Sequence, residues 1–272
     1  MYPLPSSPDA FVRRVAKRLH QLPPVPFDFN INGDLQRISA VLFLIEIGPD
    51  NQLSLLLNKR SARVRQPGDL CCPGGGVSPR IDSLLARWID LPTMPMHRWP
   101  CRPMWRQKNA AGFAKLALLL ATALREGFEE MRLNPFSVRF VGPLNSQQLV
   151  MFNRAIYPLV AWVSRQPRLV PNWEVEAIVR VPVNTLFAAG NYARYRLSYR
   201  SAAPGRPNDT YRDMPCFIHR QHGRTELLWG ATYRITEQFL STVFKFVPPP
   251  MDRLPVIHRR LERSYLEGSE PP

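Results

Sequence analysis

The 272-residue sequence predicts a layered α/β domain, and three observations carry that expectation. Apolar stretches of strand length recur along the chain, amphipathic helical stretches are interleaved with them, and one long helix occupies the middle. Apolar residues make up 45% of the chain and charged residues 21%, a balance that buries a core and excludes a disordered chain. No repeat recurs at a fixed period, which argues against solenoids and propellers.

The elements follow in order. Residues 1–8 are a proline-rich lead. Asp9 is expected to cap a helix reaching about residue 22, with Phe11, Val15, Leu19 and Leu22 on one face and Arg13, Arg14, Lys17 and Arg18 largely off it. Such a basic amphipathic helix packs its stripe on its own domain or, as the alternative, lies on a membrane. Residues 37–47 read as a buried strand, and residues 52–58 as its return after a Gly-Pro-Asp-Asn turn. A loop rich in Arg, Pro and Gly follows. Residues 83–108 read as an irregular segment holding Trp88, Trp99, Trp105, Met94, Met96 and Met104. Asn109 caps the long helix, which Asn134-Pro135 stops. Residues 137–141, 155–163 and 177–181 predict short strands, and residues 182–188 a short helix. Residues 190–213 are polar and rich in arginine. Residues 216–220 and 226–228 predict a hairpin, with His219 and His222 facing solvent near its turn. A last amphipathic helix spans residues 235–246, and a Pro-Pro-Pro run separates it from a charged tail.

The longest apolar run, residues 116–124, is far short of a bilayer span, and the first residues hold no apolar signal segment. Four cysteines, two of them adjacent, fit a reducing, cytoplasmic setting better than a disulfide framework. Lys and Arg number 36 against 21 Asp and Glu, for a formal charge of +15. That balance favours anionic partners such as nucleotides, coenzymes, nucleic acid or acidic membranes, or else serves solubility. Nucleic acid is not favoured, because no paired aromatic and basic motif of the known RNA modules is present. Cys71, Cys72, Cys101 and His97 lack the spacing of a zinc set.

The most informative stretch is Arg125-Glu126-Gly127-Phe128-Glu129-Glu130. Glu126, Glu129 and Glu130 share one side of a helix, where like charges repel unless something compensates. A hard divalent cation, Mg²⁺ or Mn²⁺, does so directly; an exposed charged face is the alternative. Arg125 can bridge to Glu129 one turn on. Upstream, Pro73-Gly74-Gly75-Gly76 permits close backbone approach and a carbonyl aimed at a metal.

Together these residues resemble the box of the Nudix hydrolases, G-x5-E-x7-R-E-U-x-E-E-x-G-U with U apolar. Arg125 to Leu133 matches its second half, with Gly127 at an apolar position and Arg132 at the family glycine. Gly74, Gly75 and Gly76 open the first half. Asp82 stands in for the family glutamate; the ungapped position is Ala117. The box is thus split by an insertion of roughly 35 residues. Further segments resemble the coenzyme A pyrophosphatase branch. These are Leu55-Leu-Leu-Asn-Lys-Arg-Ser61, then Arg65-Gln-Pro-Gly-Asp-Leu-Cys-Cys-Pro-Gly-Gly75, then Leu169-Val-Pro-Asn-Trp-Glu-Val-Glu176 and Leu228-Trp-Gly-Ala-Thr232.

The resemblance implies a Nudix-type α/β/α sandwich with a mixed central sheet. It divides the chain into a basic helix and lead at 1–28, a hydrolase domain at 29–247 with the insertion at 83–108, and a tail at 248–272. It implies a metal-dependent cleavage of coenzyme A or an acyl-CoA to 3′,5′-ADP and a phosphopantetheine. Other nucleoside diphosphate derivatives, or nucleotide binding without catalysis, are the alternatives. Glu129 and Glu130 would hold metal with a carbonyl of Gly74 or Gly75, Glu126 would share the metal or act as base, and Arg125 would orient the carboxylates. Arg60, Arg63 and Arg65 would meet substrate phosphates. Glu174 or Glu176 is a more distant carboxylate or simply an exposed one. The insertion is expected to form a lid over the cleft, with a homodimer contact or a plain surface excursion as alternatives.

Overall fold

The computed structural model describes residues 7–22, 26–31, 33, 35–48, 52–149, 153–164, 166, 168–199, 210–221, 223–260 and 265. Parts of the lead, residues 23–25, the turn at 49–51, residues 200–209 of the polar stretch, parts of the tail and His222 lie outside the described residues.

Helix α1 (Pro8–His20) leads into β1 (Ile38–Ile47) and β2 (Leu53–Arg60), which pair antiparallel. Then come the short strands β3 (Leu70–Cys71) and β4 (Gly74–Gly76), helices α2 (Pro79–Trp88) and α3 (Arg102–Lys108), and the long helix α4 (Ala110–Met131). Strands β5 (Val138–Pro143), β6 (Gln147–Leu149), β7 (Arg154–Val163) and β8 (Val175–Pro182) complete the central sheet. Its main order is β3-β2-β1-β7-β5, with β4 also on β1, β6 on β7 and β8 on β2. β1 and β7 run parallel and the other pairs antiparallel, so the sheet is mixed.

β1 sits at the centre, and its alternation divides the core. Ala40, Leu42 and Leu44 face α4 and the insertion; Val41, Phe43 and Ile45 face α1 and α5 (Gly230–Phe244). Burial on both faces explains why its sequence is apolar apart from Ser39 and Glu46. The expected α/β/α sandwich with a mixed sheet is therefore the observed architecture. Among the described residues, no helix is long and apolar enough to cross a membrane.

The structure departs from expectation in several places. Ser7, not Asp9, caps α1, its hydroxyl accepting from the Ala10 N–H at 3.2 Å; Asp9 lies in the first turn. The apolar stripe of α1 packs on the domain, with Phe11 and Val15 almost fully buried. The polar stretch at 190–213 contains β9 (Tyr192–Tyr199), which joins β10 (Thr210–Gln221), β11 (Arg224–Trp229) and β12 (Val256–Arg260) in a second sheet ordered β11-β10-β9-β12. A strand that alternates Tyr and Leu with Arg is half polar by design, so composition alone hides it. β12 and the buried Tyr265 fall within the segment read as a tail. His219 is buried rather than solvent-facing, 3.2 Å from the Gln221 amide oxygen.

The insertion is irregular only over residues 89–101, where Met96 and Trp99 enter the core. Its ends are helical, and its middle returns to the core. Met96 and Trp99 are buried among Leu116, Leu120 and Phe140, and the Trp99 indole N–H donates to the Val141 carbonyl at 3.0 Å. Trp99 and Phe140 ring centroids lie 4.9 Å apart, and Trp105 packs on Trp99 at 5.6 Å. The segment joins α4 and the sheet in one apolar cluster. Trp88, 58% exposed, faces outward.

Trp99→Ala is expected to cost about 3–5 kcal/mol, as removal of a buried aromatic does. Trp88→Ala should change stability by no more than about 0.5 kcal/mol. Urea unfolding of both variants checks this; equal, small losses would mean the insertion is not part of the core.

Candidate functional site

The carboxylates stand on the last turns of α4. Asn109 starts that helix, its side chain accepting from the Gly112 N–H at 2.8 Å, and Arg132 ends it in a left-handed conformation at φ 56°. Gly127 allows α4 to lie against β1: a Cβ there would be 3.0 Å from Leu133 and 3.4 Å from Leu42. The helix therefore approaches the glycine strand β4 closely enough for its side chains to meet backbone.

Both glycines of the loop are required by these contacts. Gly74 has φ 144°, and a Cβ on it would lie 2.3 Å from the Ala40 carbonyl oxygen. A Cβ on Gly75 would lie 2.6–2.8 Å from the Glu126 carboxylate. The Gly74 N–H donates to Glu130 Oε2 at 3.0 Å, and the same oxygen accepts from Asn58 Nδ2 at 3.0 Å. The two halves of the split motif thus close on each other in space, although the hydrogen-bonded residues are 56 apart in sequence.

Arg125 organises the carboxylates. Its Nε donates to Asp82 Oδ1 at 2.7 Å, and its terminal nitrogens reach Asp82 Oδ2 at 3.2 Å, Glu126 at 2.9 Å, Glu129 at 3.0 Å and the Gly76 carbonyl at 3.2 Å. Asp82 is fully buried and also accepts from the Ser78 N–H at 2.7 Å and the Thr122 hydroxyl at 2.9 Å. Asp82 therefore serves as a buried partner of the arginine.

The three glutamates differ in surroundings. Glu129 has 52% of its side chain exposed, Glu126 19%, and Glu130 is buried. Burial pushes the Glu130 carboxyl from its ordinary 4.5 up to about 8, against the opposing Gly74 N–H. Burial also raises Glu126, and the neighbouring Arg125 opposes that shift. Asn58 Oδ1, next to Glu130, is a buried acceptor with no hydrogen-bond donor. Among the described residues, no three His, Cys, Asp or Glu side chains are gathered as a ready-made metal cluster.

Of the arginines, Arg60 lies near enough to act electrostatically on Glu130, while its Nε is turned to the Arg65 carbonyl at 2.7 Å. Arg63 and Arg65 stand exposed on the same loop. Glu174 also acts on Glu130, whereas Glu176 is exposed and pairs with Lys59 at 3.2 Å. Two residues escaped the sequence reading. Asn58 was legible only as a polar residue ending an apolar strand. Arg154, at the start of β7, bonds the Ser39 hydroxyl at 3.3 Å and lies beside Gly76; no local pattern signals it.

Neither a protein-family model nor a curated protein matches the sequence. Solved structures similar to the chain include a Nudix hydrolase from M. smegmatis, RenU, at 14% identity and a TM-score of 0.36, over 56% of this chain and 73% of that one. The Nudix domain of Shewanella oneidensis NrtR, solved with ADP ribose, is 15% identical with a TM-score of 0.33, over 63% of this chain and 84% of that one. A MutT/nudix family protein from Enterococcus faecalis is 11% identical with a TM-score of 0.40, over 88% of this chain and 70% of that one. At these identities the functional reading rests on the residues of this chain.

The raised Glu130 carboxyl sets a direction for stability. The folded state holds this proton more tightly than the unfolded chain does. Its contribution is therefore complete below pH 4.5 and is lost as pH rises through about 8. In chelator, the wild-type urea midpoint should fall over that window, and Glu130→Gln should flatten the fall. A variant that declines as steeply as the wild type would show that Glu130 is not the group responsible.

Proposed function

We propose that the chain is a Nudix pyrophosphohydrolase that cleaves nucleoside diphosphate derivatives with the help of a divalent cation. The observation that carries this reading is the closure of Gly74 and Gly75 onto Glu130 and Glu126 across the insertion.

The donor set fits a hard cation. The side chains are all oxygen donors, Glu126 and Glu130 are carboxylates held in surroundings that disfavour their charge, and the Asn58 acceptor lacks a donor. Glu126 and Glu130 would hold Mg²⁺ or Mn²⁺, with Glu129 released from Arg125 and a carbonyl of Gly74 or Gly75 beside them. Such a cation, when bound, neutralises phosphate oxygens and lowers the pKa of a bound water.

The chain's own residues do the rest. Asp82 fixes the Arg125 guanidinium, so Arg125 sets the side-chain directions of Glu126 and Glu129 instead of reacting. The Gly74 N–H and Asn58 fix one oxygen of Glu130 and leave its other oxygen available. Glu126, whose carboxylate lies against Gly75, would share the cation or take the proton of the attacking water. Arg60, Arg63 and Arg65 neutralise the substrate's diphosphate as it enters, and arginine matches phosphate oxygens in pairs.

Coenzyme A or an acyl-CoA is the substrate of first choice, cut to 3′,5′-ADP and a phosphopantetheine, because the loop from Leu55 to Gly75 carries the residues quoted for that branch. A cytoplasmic site of action accords with four cysteines that are all free.

The test is metal-dependent release of 3′,5′-ADP from coenzyme A, beside a panel of nucleotide sugars, dinucleotides and capped RNA. Glu130→Gln and Glu129→Gln should each lower kcat by about 100-fold or more with the fold intact. Arg60→Ala and Arg65→Ala should raise KM at unchanged kcat, and high salt should mimic part of that loss. Full activity of both glutamate variants at limiting Mg²⁺ would overturn the metal assignment. Turnover of another panel member with coenzyme A untouched would move the substrate, not the reaction.

A further inference from the structure

The turn that enters β8 is built between the two halves of the site. On one side the Val170 N–H donates to the Met131 carbonyl at 3.0 Å, and the Asn172 N–H to the Glu130 carbonyl at 2.8 Å. On the other side the Ser61 N–H donates to the Glu174 carbonyl at 2.8 Å, and Val175 pairs with Arg60 at the end of β2. The Asn172 side chain closes the turn by accepting from the Glu174 N–H at 2.9 Å. The segment is thereby tied to the acid-bearing helix and to the arginine loop at once, and it is locked internally.

Trp173 stands at the tip of this turn. It is 58% exposed, and among the described residues no ring or cation packs on it and its indole N–H has no partner. Val170, 44% exposed, lies on the same segment. Of the insertion's tryptophans, Trp88 is exposed, and Trp99 and Trp105 stack on each other in the α4 layer. A large aromatic held out on a rigid turn, between a carboxylate cluster and a basic loop, offers a flat face where an anionic ligand's organic part would lie. Glu174, the next residue, acts electrostatically on Glu130, so the turn lies beside the carboxylate cluster.

We infer that Trp173 is a specificity-determining residue, a stacking platform for the nucleobase of the bound nucleoside diphosphate. The inference rests on the proposed function for the identity of the ligand, but not for the existence of the platform. The ring binds any base by its face, so it confers preference for a base over none more than for one base over another. Recognition divides between two surfaces: arginines hold the phosphates, and Trp173 holds the base.

The probe is ADP, titrated against intrinsic tryptophan fluorescence in the wild type, Trp173→Phe and Trp173→Ala, with ribose 5-phosphate and inorganic pyrophosphate as baseless controls. ADP should quench the wild type. Trp173→Phe should lose most of the quench yet keep its ADP affinity within about threefold, because a phenyl ring still stacks. Trp173→Ala should weaken ADP binding by about tenfold and raise KM by a similar factor at unchanged kcat, with the baseless ligands unaffected. Thermal midpoints equal to wild type exclude a merely structural effect. Unchanged ADP affinity in Trp173→Ala, or equal weakening toward the baseless ligands, would overturn the platform. If the wild type hydrolyses no nucleoside diphosphate while ADP still quenches Trp173, the hydrolase reading fails and the platform stands. If it hydrolyses them and Trp173→Ala is indifferent, the platform fails and the hydrolase reading stands.

Discussion

The buried pair of Asp82 and Arg125 is the constraint on which the site depends. A carboxylate with no exposed surface must find a cation or lose its charge, and Arg125 supplies the cation from the neighbouring helix. The pair binds α2 to α4, and the same guanidinium reaches the Gly76 carbonyl of β4, so three elements share one charged centre. Removing one partner of such a buried pair costs about 3–5 kcal/mol, because the other is left charged and unpaired. With Asp82 fixed, the remaining N–H groups of Arg125 point to Glu126 and Glu129. Orientation at the site therefore follows from packing beneath it.

The glycine strand is the second half of that arrangement. Backbone takes the place of side chain at Gly74 and Gly75, and the Glu126 carboxylate occupies the room a Cβ would fill. The Gly74 N–H aims at Glu130 because φ is positive there. Three carboxylates on one helical face would repel strongly if nothing intervened. Here one guanidinium, one amide side chain and one backbone N–H divide the task, and burial leaves Glu130 short of full charge compensation. That shortfall is what the proposed cation would compensate.

The insertion illustrates how composition misleads about location. Its tryptophans and methionines signal burial, which is what the structure shows for Met96 and Trp99. Composition does not say against what. A lid and a core plug have the same apolar content; only the packing of Met96 and Trp99 into one cluster with Leu116 and Phe140 distinguishes them. Helix α2 reverses the usual pattern, turning Asp82 inward and Ile81, Leu84 and Trp88 outward. The segment around Trp173 carries a motif-like pattern, but nothing in its residues reports that it is tied to two distant elements.

Local physics was legible from residues alone. Asn109 and Asn134-Pro135 mark the ends of the long helix, the 126/129/130 spacing places three carboxylates on one side, and the apolar run of β1 announces burial on both faces. Capping, helical period and alternation act over a few residues, so a sequence carries them in full. Arg132 shows the limit of such reading: it takes the left-handed helix end that glycine would fill, and its guanidinium sits 5.2 Å over the Phe128 ring. The β10–β11 hairpin of the second sheet was legible, but β9 and β12 escaped; β12 pairs with a strand as distant as Arg194. The role of Asp82, the part played by Asn58 and the fate of Trp99 were decided by tertiary structure alone. Each depends on which distant group arrives to satisfy a buried charge, a buried amide or an apolar face, and that identity is set by chain closure over tens of residues.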